Sequence, residues 1–246
     1  MALQKGDFIV IDYVAKVKET GEVFDTTSEE TAKKERLYKE GEIYEPKLVV
    51  IGEGWVLKAL DENLEKMEVD KATPVELSPD KAFGSRDPAK VKRVSLKHLT
   101  AEGINPTLGM RVEHDGKMAT VRAIGAGRVL LDFNLPLAGK TLVYDVTVKK
   151  KLETEEEKIA ALIHRRTPAV EEAKFKFTVK AKIVSVEMPE DSFYLEGIQV
   201  AKRGIAMDIQ KFFPKVTAVK FTETFKAAAQ PQKETKQVES GANEGR

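Results

Sequence analysis

Cysteine is absent from all 246 residues, which excludes disulfides, thiol catalysis and cysteine-based metal sites; it fits a reducing compartment, and a cytoplasmic location is expected. Histidine is scarce. His98, His114 and His164 form no i, i+4 pair with one another and read as solvated or hydrogen-bonded surface side chains, so no metal site and no cofactor are expected. Charge of one sign is not in excess either: 41 Lys and Arg face 40 Asp and Glu, which leaves no global field to draw nucleic acid or an acidic membrane. Long apolar runs are missing. Gly6 and Asp7 break any leader-like stretch, no segment approaches the roughly 20 apolar residues of a membrane span, and no membrane association is expected.

What is present begins to take shape between Gly54 and Gly84. Leu57, Leu60, Leu64 and Met67 recur at three- and four-residue steps and share one face of a short helix, with Asp61, Glu62 and Glu65 assigned to the other. Thr73, Val75 and Leu77 then alternate with Pro74, Glu76 and Ser78 at strand spacing, and Ser-Pro-Asp closes the strand before an Ala-Phe-Gly corner at Phe83.

Upstream, Phe8 to Val17 carries apolar residues on both faces, which reads as a strand inside a sheet covered on both sides. Thr20-Gly21 turns the chain, and Val23-Phe24 starts the return, with Asp25 at its end. Thr27 to Glu30 fits a capping box for a charged helix reaching Leu37-Tyr38, and residues 46–51 read as a further strand.

Beyond Gly84 the segment 86–133 opens on a basic cluster, Lys90, Lys92, Arg93 and Lys97. It then shows strand signals at 108–112, 118–124 and 129–133, and an Asp115-Gly116 hairpin turn. So long a segment with its own strands is a small β-rich domain rather than a loop. From residue 152 a third, α+β unit runs to 226. It holds a second capping box at Thr154 to Glu157, an alternating strand from Lys174 whose phase flips at Ile183-Val184 and suggests a bulge, a helix through Ile198 and Phe212 ended by Pro214, and a last strand at Val219, Phe221 and Phe225. Residues 227–246 are polar and read as a disordered tail.

The order of these blocks carries a resemblance. Tyr13 in an early strand, Gly-Glu-Val-Phe-Asp from Gly21 to Asp25, Gly-Trp-Val-Leu from Gly54, Ala-Phe-Gly at Phe83 and Leu-Ala-Gly from Leu137 to the strand at Tyr144 together resemble the FK506-binding-protein (FKBP) family of peptidyl-prolyl isomerases. The segment 86–133 resembles the insert-in-flap domain of its SlyD-like branch, and the extension that of long archaeal members. The resemblance implies an α+β fold in which residues 1–85 and 134–151 form an antiparallel sheet wrapped on a short helix. It also implies rotation about X-Pro bonds of unfolded or partly folded polypeptides, in an apolar trough walled by Tyr13, Phe24, Val56, Leu57, Phe83, Leu137 and Tyr144. Leu60 is then the floor, and Asp25 stands at the rim as partner to Tyr13 or to the twisting carbonyl.

Two positions depart from the family pattern. Phe83 stands where many members have a Tyr hydroxyl donor, and Leu60 where others place a larger Trp, so a contact is lost and the floor is roomier. The insert is implied to bind clients through apolar residues chosen from Leu96, Leu99, Ile104, Leu108, Met110, Met118 and Val121. A non-catalytic holdase or scaffold is the alternative that these departures motivate. The lysine face at 174–182 lacks interleaved aromatics and reads as solvated, so no nucleic-acid partner is expected. A homodimer through the third unit is a further expectation.

Overall fold

In the computed structural model, which describes residues 2–226, strand β1 (Phe8–Val17) is the organising element. It pairs antiparallel with β2 (Val23–Thr26) on one side and with the long β9 (Leu142–Leu152) on the other. After a short helix α1 (Glu29–Lys34), β3 (Lys47–Val50) also joins β1. Helix α2 (Lys58–Leu64) lies across this sheet, and β4 (Ala72–Leu77) pairs with the far side of β9. There β4 is an edge strand, which is where Pro74 costs no ladder bond.

One face of β1 makes the core. Ile9, Ile11, Tyr13, Ala15 and Val17 are buried together with Leu60, Leu64 and Met67 of the α2 region and with Leu142, Tyr144, Val146 and Val148 of β9. The other face differs from the sequence expectation. Val10, Asp12, Val14 and Lys16 are only half-buried, and Phe8 alone is buried there, with Lys158 of α4 (Glu155–Arg166) 5.6 Å above its ring. A single helix packed on β3 covers only that end of the sheet.

Between β4 and β9 the chain leaves and comes back. The excursion contains β5 (Val91–Ser95), α3 (Leu96–Ala101), β6 (Arg111–His114), β7 (Lys117–Gly125) and β8 (Arg128–Asp132), forming a second antiparallel sheet in the order β5-β8-β7-β6. Asp115 and Gly116 both have positive φ, as a two-residue primed turn requires, and Ala126-Gly127 repeats the device. Leu77 and Leu142 are direct cross-strand partners, and Gly139 N–H donates to Gly84 O at 2.8 Å, so the excursion starts and ends at one neck.

The first compact unit runs to Ala169 and includes α4, whose capping box at Thr154 and Glu157 forms as the sequence pattern predicts. The second unit holds β10 (Lys176–Lys180), β11 (Ile183–Met188), α5 (Ile198–Phe212) and β12 (Ala218–Glu223). Its sheet runs β10-β11-β12, with β11 and β12 parallel and joined through α5. The phase flip at Ile183 is not a bulge. Ala181, at φ 55°, and Lys182 form a hairpin turn that pairs Lys180 with Ile183. Val184, Val186 and Met188 are buried, while Val179 on the edge strand is exposed. The expected disorder of residues 227–246 lies outside the described residues.

Candidate active site

The nine residues singled out from the sequence come from six separate stretches, and eight of them meet in one apolar cluster. Tyr13, Leu60 and Tyr144 are buried, and Phe24, Val56, Leu57, Phe83 and Leu137 are partly buried against them. The ninth, Asp25, is half-buried, and its Oδ2 accepts a hydrogen bond from the Tyr13 hydroxyl at 2.8 Å.

The backbone explains how Phe24 and Asp25, adjacent in sequence, serve the same face. Ala15 pairs with Asp25 but Lys16 pairs with Val23, so Phe24 is the extra residue of a bulge. A regular strand would send neighbours to opposite faces; the bulge re-aims one of them. Tyr144 lies opposite Ala15 on β9, diagonal to Tyr13, and the two rings sit 5.8 Å apart. Phe24 meets Tyr144 edge-on at 6.0 Å.

Helix α2 is aimed by a contact that the sequence reading misplaced. Asp61, assigned to the solvent face, is buried, and its carboxylate accepts from Gly52 N–H at 3.0 Å and from Gly54 N–H at 3.2 Å. Both glycines have positive φ. The carboxylate thus closes the turn that delivers Val56 and Leu57 to the cluster. Thr27 is likewise not a helix cap. Ser28 caps α1, which ends at Lys34, while the Thr27 hydroxyl accepts from Tyr13 N–H at 2.9 Å and fixes the backbone behind the ring.

Lys47 escaped the sequence reading altogether. It lies opposite Ile11, on the Tyr13 side of the sheet, and its ammonium donates to the Tyr13 hydroxyl oxygen at 3.1 Å. Its spacing of two residues from buried Val49 was the available signal. Tyr13 therefore donates to a carboxylate and accepts from an ammonium, and burial followed by the Asp25 contact pushes its own pKa far up. Burial, with Asp25 adding to it, raises Tyr144 to about 12. The Tyr144 hydroxyl makes no hydrogen bond among the described residues, so it keeps a proton to donate.

In the insert the seven apolar candidates divide. Leu99 and Val121 are fully buried, and Leu96 and Ile104 pack on the same core. Leu108, Met110 and Met118 are exposed by 73%, 41% and 48%. Asp132, 1% exposed, ties the insert to its neck by accepting from Arg86 at 2.8 Å, from Arg122 at 3.2 Å and from Asn134. Burial alone would raise its pKa, but the bonds from Asn134, Arg86 and Arg122 outweigh that and hold it at about 2. Of the three histidines His114 departs from the surface reading, being buried beside Glu102, whereas His98 is exposed and His164, half-buried, is hydrogen-bonded to Glu45 at 2.9 Å.

No helix among the described residues is long and apolar enough to cross a membrane. Residues 92–137 match the family model described as "FKBP26, IF domain", and residues 155–226 match "FKBP26_C-terminal". The chain is 31% identical over 155 residues to the short-type peptidyl-prolyl cis-trans isomerase of Methanocaldococcus jannaschii, covering 63% of this chain and 98% of that protein. It is 28% identical over 125 residues to the FKBP-type isomerase SlyD of Helicobacter pylori, covering 49% of this chain and 66% of that one. With the FKBP-type 16 kDa isomerase of Escherichia coli it shares 30% over 108 residues, 42% of this chain and 72% of the relative.

Proposed function

This chain belongs to the FKBP family of peptidyl-prolyl cis-trans isomerases, in its long form with an insert-in-flap domain, and from that premise we propose that it turns X-Pro bonds by desolvating them over the Tyr13–Tyr144 cluster. The barrier to be lowered is about 18–20 kcal/mol for an ordinary amide, because conjugation keeps the C–N bond planar. The planar imide is the more charge-separated form. Taking its carbonyl out of water raises it relative to the twisted state, in which conjugation is broken.

Phe24, Val56, Leu57, Phe83 and Leu137 supply the apolar walls for the proline ring, and Leu60 the floor. The observation that carries the reading is the Asp25–Tyr13 hydrogen bond at the edge of this apolar set, with Lys47 on the other side of the hydroxyl. It locks the Tyr13 ring and keeps a carboxylate beside the site, where it faces the carbonyl carbon as conjugation is lost. Phe83 has no donor, and the uncommitted Tyr144 hydroxyl takes over that contact to the substrate carbonyl. In a protease-coupled prolyl-peptide assay Asp25→Ala should lower kcat/KM about tenfold and Tyr144→Phe about threefold. Unchanged rates in both would remove the roles of these groups.

Clients are unfolded proline-containing chains, held by the exposed Leu108, Met110 and Met118 of the insert. This raises the local concentration of prolyl segments at the site. Self-association uses the second unit, where Val200 and Met207, seven residues apart on α5, are exposed by 76% and 59%. A monomeric mass by light scattering at micromolar concentration would discard that part. A cytoplasmic location follows the cysteine-free sequence.

A further inference from the structure

Among the described residues, one group of three histidine and carboxylate side chains brings its ligand atoms close enough to hold a metal ion, and it lies within the insert. Glu102 caps the C-terminus of α3, four residues after His98, and on a helix that spacing puts both side chains on one face. The third member, His114, comes from the end of β6, where the hairpin turns. His98 Nε2 lies 3.1 Å from Glu102 Oε1, and His114 Nδ1 lies 3.1 Å from Glu102 Oε2. The two imidazoles meet edge to face at 5.7 Å, and the three donor atoms all lie within 4.8 Å of one another.

Two imidazoles and one carboxylate form a donor set suited to zinc. Zinc bonds of about 2.0–2.2 Å in a tetrahedral arrangement separate ligand atoms by about 3.3 Å, and each imidazole nitrogen already lies 3.1 Å from an oxygen of Glu102. An ion entering the cluster takes the place of the ring protons now shared with Glu102. His114 already has the orientation a ligand needs, since its Nδ1 faces the cluster while its Nε2 lies 3.6 Å from the Asp115 carboxylate. Once an ion displaces the Nδ1 proton, the Asp115 carboxylate stands on the Nε2 side, where the remaining ring proton is held. The His98 side chain is 60% exposed, which leaves one side of the cluster open to a water as fourth ligand.

We propose that His98, Glu102 and His114 form a zinc-binding site that clips α3 to the β6–β7 hairpin. The clip acts on the same hairpin that displays Met118, whose backbone pairs with Glu113 next to His114. Occupancy therefore stiffens the part of the insert that carries exposed apolar side chains.

The test is calorimetric titration of the chelator-treated full chain with zinc chloride. A single zinc ion per chain is expected, and His98→Ala and Glu102→Gln should each weaken binding about tenfold or more. His164→Asn should leave it unchanged. His98 is the informative position because its exposed ring can be removed without opening the core, unlike that of buried His114. Zinc should also raise the melting temperature of the wild type and not of His98→Ala. No stoichiometric binding, or the same affinity in His98→Ala, would overturn the assignment.

Discussion

The two antiparallel sheets of the first unit treat their apolar residues in opposite ways. Around β1 and β9 a core of eighteen buried residues forms, and its partly buried neighbours, among them Phe24, Val56 and Leu57, are packed against it. The insert closes on six buried residues and leaves Leu108, Met110 and Met118 outside. A large core has surplus apolar surface to shape into a fixed site. A small one cannot cover all that its sequence supplies, and what remains outside is free to meet other chains.

Removing the insert is the most severe way to break this comparison. Joining Ser85 directly to Asn134, which keeps Phe83 and Leu137 in place, should cut catalysis of proline-limited refolding of a protein substrate roughly 10- to 100-fold, while turnover of a short prolyl peptide changes less than about threefold. Parallel loss on both substrates would mean that the insert shapes the site itself. Changing Leu108, Met110 and Met118 together to Ser should give a milder version of the same split, about fivefold on the protein substrate alone. These side chains are exposed, so the fold should tolerate the change.

The smallest effect concerns the neck. The Asp132 carboxyl is held at about 2, below its ordinary value of 3.8, so ionisation stabilises the fold above about pH 4, and that contribution fades as pH falls toward 2. The expected size is about 2 kcal/mol. Urea unfolding at about pH 5 and about pH 2.5 measures it. Asp132→Asn should flatten the difference, and an equally steep acid loss in that variant would place the sensitivity elsewhere.

Much of this was legible in the chain. The periodicity of Leu57, Leu60 and Leu64, the alternation at Val75 and Leu77 and the Asp115-Gly116 turn are local patterns, and local physics decides them. What escaped depends on closure in three dimensions. Asp61 looks like a surface acid until Gly52 and Gly54 bring their N–H groups to it. The phase change at Ile183 fits a bulge or a reversal equally well until the chain turns at Ala181. His98 and His114 look unrelated because the helix bearing one and the hairpin bearing the other carry no shared pattern. Only the partner Glu102, four residues from His98, hinted at a cluster. The assembly of the nine site residues was read from the order of motifs, since no periodicity brings Asp25 to Tyr13.

The bonded pair Gly84–Gly139 has a consequence for how such a chain can change over generations. Because the segment between Gly84 and Leu137 leaves and rejoins the sheet at one place, with Leu77 and Leu142 paired at its base, that segment has the geometry of an exchangeable cassette. A foreign domain with closely spaced ends could be spliced in there and give the enzyme a new clientele, with the register of the catalytic sheet left undisturbed.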